Sequence, residues 1–179
     1  GTHIEPLSIQ GAAYKTKAKD DGGMFIEYIP AEGGNPSSLD VYLNSAEPLT
    51  WNGNQIDING RIGVFEKKSF VDVNTTLIKD VIVLNIGQLL QAKGDNGGLG
   101  QNIIYSNYPI VLTNGLKILK NGLTTVCEDN IYIHTQTWGA TAGAYNLFPN
   151  PGESKPPPSA AISARSIYTL SPSWNFPQT

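Results

Sequence analysis

His134 is the residue best suited to proton chemistry, because an imidazole titrates near neutrality. It follows Tyr132 by two positions, with Glu128 and Asp129 close by in sequence. A general base needs an orienting partner and a nearby nucleophile, and neither is evident around His134; His3 belongs to the terminus. Cys127 is the single cysteine, so it can form neither an internal disulfide nor a thiolate-rich metal site. Between Val126 and Glu128 in an extended run, it reads as a small buried apolar residue. Asp20-Asp21-Gly22-Gly23 and Asp95-Asn96-Gly97-Gly98 place oxygens beside glycines. Both lack the alternating twelve-residue spacing of a calcium loop and read as turns. Gly94, Gly97, Gly98 and Gly100 fail as a phosphate cradle, since the expected helix precedes them instead of following. No catalytic residue, metal site or cofactor is therefore expected. Aromatic rings in or beside loops can stack on sugars or anchor protein partners. That makes Trp138, Tyr145 and Trp51 the candidate ligand or partner contacts, with Phe148 and Trp174 of the same type; packing is the competing role for each.

The elements that would position these residues follow from a seven-residue rhythm. Asn107, Asn114 and Asn121 each close a short apolar run, and Asn130 closes a slightly longer one. Asparagine tolerates the left-handed backbone region, so it suits a recurring corner between extended segments. Three such faces would make a coil of about 21 residues, a period proper to stacked repeats. The inward candidates are Ile103, Tyr105, Leu116, Ile118, Leu123, Ile131 and Ile133. Upstream, Met24–Ile29 and Leu39–Leu43 alternate with period two and predict half-buried strands. Asn-Gly at 59–60 suits either a hairpin or a corner. One helix is expected, Ile86 to Ala92, capped by Asn85 with Gln88 at the third helical position and stopped at Gly94. Residues 94–101 read as a flexible connector, and the proline-rich stretch 138–159 as a surface excursion before a last strand within 161–170.

Composition agrees with a β protein. Of 179 residues 40% are hydrophobic and only 15% charged, with 19 Gly and 12 Pro, a mix that favours turns over long helices. A net charge of −3 supplies no basic footprint for nucleic acid, nor a polybasic cluster for anionic lipid. No window approaches the roughly 18–20 apolar residues of a membrane span. Gly1 in place of a start methionine is read as a processed end, so the chain is expected to be part of a longer protein. Asn74-Thr75-Thr76 is a glycosylation sequon.

Gly122-Leu123-Thr124, Asn130-Ile131-Tyr132-Ile133 and Leu170-Ser171-Pro172-Ser173-Trp174-Asn175, separated by a proline-rich insertion, form a pattern. It resembles the C-terminal region of minor-pilin-like proteins associated with type IV pilus assembly. Residues 63–68 and 81–90 resemble the strand–basic–strand–helix passage of that family, so the likeness spans about residues 60–179. The resemblance implies an extracytoplasmic, cell-surface domain behind an N-terminal membrane helix that lies outside this chain. It also implies other pilus or surface proteins as partners and transfers no catalytic or cofactor residue.

The expected fold is thus mainly β and a single domain. Residues 60–179 would form a short parallel β-solenoid-like stack with one small capping helix, and residues 1–59 an N-terminal β cap or subdomain. An antiparallel β-sandwich is the alternative. The expected function is non-enzymatic structure or assembly in a type IV pilus-related system; a carbohydrate-binding or adhesin module, with glycans as partners, is its rival. Pairing of residue i with about i+20 would favour the stack. A hairpin joining 116–119 to 123–126 would favour the sandwich.

Overall fold

A computed structural model describes residues 7–71, 76–114, 122–134 and 160–170. The chain is mainly β, built as two mixed sheets that do not close into a barrel. In chain order the elements are α1 (Leu7–Asp20), β1 (Met24–Ile29), β2 (Ser38–Leu43), β3 (Gln55–Ile58), β4 (Arg61–Val71), β5 (Ile78–Asn85) and α2 (Ile86–Lys93). There follow β6 (Ile103–Ser106), β7 (Ile110–Thr113), β8 (Leu123–Cys127), β9 (Asn130–His134), β10 (Ala160–Ser163) and β11 (Ser166–Leu170). The first sheet has the order β10-β8-β6-β1-β2, and the second β11-β9-β7-β5-β4-β3.

From β6 onward successive strands alternate between the sheets instead of pairing as hairpins. Ile103 stands opposite Thr124, and Ile110 opposite Ile131, both in parallel ladders and both 21 positions on. Last-coil strands are also parallel, Ala160 beside Leu123 and Ser166 beside Asn130; the longer step accommodates residues 135–159. Both edges of β8 are taken, by β6 and β10, which leaves β8 no edge for the hairpin that would mark a sandwich. Two strand faces per coil are described. The expected third, with Leu116 and Ile118, lies outside the described residues, as does Asn121.

Antiparallel strands start the two sheets. β1 and β2 pair with Met24, Ile26 and Tyr28 opposite Leu43, Val41 and Leu39, so their apolar sets share one face, as alternation requires. Asn59 and Gly60 both have positive φ, 50° and 79°, the conformation of a two-residue hairpin turn, and join β3 to β4. The main core lies between the sheets and includes Met24, Ile26, Val41, Phe65, Ile82, Ile104, Ile110, Leu112 and Ile131. α2 closes part of it with Ile86 and Leu89. Asn85 accepts from the Gln88 backbone N–H at 3.0 Å, but the Gln88 side chain donates to the Ile62 carbonyl at 3.2 Å instead of closing a capping box.

Three expectations are revised. A second helix, α1, lies on the outer face of the first sheet and joins Ala18 to Phe25, Ile103, Tyr105 and Val126 in a separate core. Ile103 and Tyr105 therefore face α1, and Ile104 takes the inward position. Every residue of β6 is buried, so alternation could not tell its two faces apart. Gly23 permits the close seat of the helix, since a Cβ there would lie 2.7 Å from the Ala18 Cα. Residues 94–101 are pinned as well. The Gly100 and Gln101 backbone N–H groups donate to Gly22 O, Asn96 and Asn102 exchange side-chain bonds, and Leu99 is buried.

The corners between the sheets explain Cys127. In the first corner Ser106 Oγ accepts from the Tyr108 backbone N–H at 3.0 Å. In the next coil, 21 positions on, Cys127 Sγ accepts from the Asp129 backbone N–H at 3.4 Å. Its thiol also donates to the Tyr108 carbonyl at 3.3 Å, tying one coil to the last. The thiol is fully buried, and burial pushes its pKa from 9.0 to about 12; burial, then Asp80, pushes the Tyr108 hydroxyl from 10.0 to about 12. Both groups are neutral in the fold and ionise more readily once unfolded. Their contribution is therefore complete below about pH 9 and is lost as pH rises towards about 12. The urea midpoint should stay level to about pH 9 and fall above it. Cys127→Ser should keep the corner and move the onset upward, whereas Cys127→Ala should cost about 1–2 kcal/mol at neutral pH. An unmoved onset in the serine variant, or an alanine variant as stable as the parent, would overturn this account.

Candidate interaction surface

Of the three aromatic candidates, Trp138 and Tyr145 lie outside the described residues, as do Phe148 and Trp174. Trp51 is described, half-buried against the main core. Its indole N–H donates to the Leu39 carbonyl at 2.6 Å, and the Leu49 backbone N–H donates to the Val41 carbonyl at 2.7 Å. These two groups occupy the outer edge of β2, where unpaired strand groups would otherwise invite another chain. The Lys67 ammonium, on β4 of the second sheet, lies 4.4 Å from the Trp51 ring centroid. Trp51 thus straps the start of one sheet to the other, with one ring face engaged by a cation.

His134 ends β9, and only 8% of its surface is exposed. Glu128 accepts a hydrogen bond from the Tyr105 hydroxyl, which burial and this carboxylate together push well up. Asp129 Oδ1 is taken by the Asn130 backbone N–H at 2.7 Å. Both carboxylates therefore serve packing and corner geometry. Among the described residues no cluster of His, Cys, Asp or Glu could hold a metal ion, and no helix is long and apolar enough to cross a membrane.

The opposite end of the molecule differs from the strapped one. β10 and β11 are the last strands of their sheets, and among the described residues no backbone group pairs with their free edges. Burial falls off sharply there. Ile110 and Ile131 are each 0% exposed, but Ile167, next in the same row, is 50% exposed. On the outer face Tyr168 stacks on Tyr132 at 5.2 Å between centroids yet is 41% exposed. Neither AAIS nor SIYTL carries a charge, and Arg165 sits between them. The sequence signal for this surface was an alternating, charge-free terminal pair. It reads equally well as interior strands, so the sequence does not set it apart from the buried coil before it.

No family model, curated protein or solved structure matches the chain. The surface is therefore defined by geometry: at one end Trp51 and Leu49 occupy the β2 edge, and at the other, among the described residues, two uncharged strand edges stand unpaired. Trp51→Phe keeps the ring over Lys67 but orphans the Leu39 carbonyl, and should cost about 1 kcal/mol. Trp51→Ala should cost about 2–3 kcal/mol, because ring packing is lost too. Both are read from urea unfolding, and a neutral Trp51→Ala would show that the strap contributes nothing.

Proposed function

We propose that this chain is a non-enzymatic structural or assembly module that acts through protein–protein contacts, in an extracytoplasmic setting of the type IV pilus kind. The observation that carries the contact reading is the unsealed end formed by β10 and β11, with Ile167 and Tyr168 exposed. A strand edge offers main-chain hydrogen bonds for affinity and alternate side chains for specificity, the usual means of joining β modules.

The pilus setting rests on sequence likeness, and the placement of the likeness supports it. Gly122-Leu123-Thr124 leads into β8 and Asn130-Ile131-Tyr132-Ile133 forms most of β9, while β10 and β11, the latter ending at Leu170, lie directly against them. These segments so lie on or beside strands of the two sheets; residues 171–175 lie outside the described residues. Where it falls on described residues, the likeness thus follows adjoining strands rather than scattered turns.

The test is made in the source cells. With the gene deleted, surface filaments are counted by electron microscopy, and the protein is followed through sheared surface, membrane and soluble fractions. Reduced filaments, with the protein in surface or membrane fractions, are expected. Unchanged filaments and a protein confined to the cytoplasm would overturn the proposal, and glycan-array binding abolished by Trp138→Ala or Tyr145→Ala would favour the carbohydrate-binding rival.

A further inference from the structure

We propose that the partner at the unsealed end is a second copy of this chain, joined across a twofold axis so that β10 and β11 each pair antiparallel with themselves. This deepens the contact reading above and rests on it.

Three features select this occupant. First, head-to-tail stacking would set β10 against β2 of the next molecule, and the β2 carbonyls of Leu39 and Val41 are already bonded to Trp51 and Leu49. Second, the edge strands at the opposite end carry carboxylates, Asp40 on β2 and Asp57 on β3, which would bring like charges together if those strands paired with their own copies. β10 and β11 carry none, and they lack the charged residues by which natural edges resist self-association. Third, both free edges lie at the same end of the stack. A single twofold normal to the sheets therefore extends both at once, as an isologous contact requires.

A twofold placed at the middle of β11 sets the register. Antiparallel self-pairing of the five residues of β11 about their centre brings Tyr168 opposite its own copy and Ile167 opposite Thr169. That rotation keeps inner and outer faces in place. It carries the row Ile110–Ile131–Ile167 across the axis and covers the Ile167 side chain that the single chain leaves half in water.

Light scattering after gel filtration should give twice the chain mass, falling to one chain mass on dilution. Ile167→Lys, which puts a charge into the edge at an already exposed position, should give one chain mass at every concentration with an unchanged circular dichroism spectrum. Tyr168→Cys should form a cross-linked dimer on mild oxidation, because directly opposed residues in an antiparallel pair have Cα atoms about 4.5–5.5 Å apart, within disulfide reach. Ile29→Cys, exposed on β1, should remain uncross-linked. A monomer at millimolar concentration, an Ile167→Lys variant that still dimerises, a ladder of higher oligomers, or a Tyr168→Cys variant that stays monomeric would each overturn the pairing. A monomer that still fractionates with surface filaments would sink the twofold and leave the functional reading standing.

Discussion

The structure depends on corners that lie one above another. A parallel ladder persists only if the chain leaves one sheet, turns, and enters the other at the same height in every coil. Backbone bonds enforce this between coils: Asn107 N–H donates to Ile26 O, Glu128 N–H to Ser106 O, and Arg165 N–H to Asp129 O. Side chains hold each turn from within, Ser106 in one coil and Cys127 in the next. The first coil is further clamped to β1 by Asn107, whose amide accepts from the Tyr28 N–H at 2.6 Å and donates to its carbonyl at 3.0 Å. With the heights fixed, isoleucine and leucine stack in rows without a change of register, and burial of those rows supplies the driving force.

This arrangement explains which polar residues the interior tolerates. Buried polar groups must find partners, and the stack offers them at its corners, where backbone groups are not consumed by ladders. Ser106 and Cys127 use those sites, and so does Asn85, which caps α2 and accepts from the Asn114 side chain at 3.1 Å. Asn114 itself has φ 57°, the left-handed conformation that asparagine tolerates best after glycine. The asparagines therefore fill different posts. Asn114 supplies a backbone corner, Asn107 a side-chain clamp, and Asn102 a bond to the Gly122 carbonyl at 2.6 Å.

Much of this was legible because local and global preferences agree. Period-two alternation placed β1 and β2 within a residue of their bounds, and the cap at Asn85 with the stop at Gly94 placed α2. The repeat length anticipated the 21-position step between β6 and β8. α1 was not legible, because its contacts come from Gly11 and Ala18, with Tyr14 and Lys15 half-covered. Small residues give helix packing without an apolar stripe, so no helical period stands out. The inward face of β6 was equally hidden, since burial on both sides erases alternation.

The interaction surface was missed for a related reason. Exposure of Ile167 and Tyr168 is a property of position in the stack and not of composition: Ile131 and Tyr132 occur in the same order one coil earlier and are buried. Strands that repeat an interior sequence expose it where the ladder ends, and among the described residues no further strand lies beyond β10 and β11. Sealing such an end requires residues foreign to the repeat, as Leu49 and Trp51 show at β2. Two ends of one stack, built from similar strands, thereby acquire opposite properties. The strapped β2 edge resists further pairing, while β11 presents the same isoleucine–tyrosine pattern that β9 uses to hold the fold together.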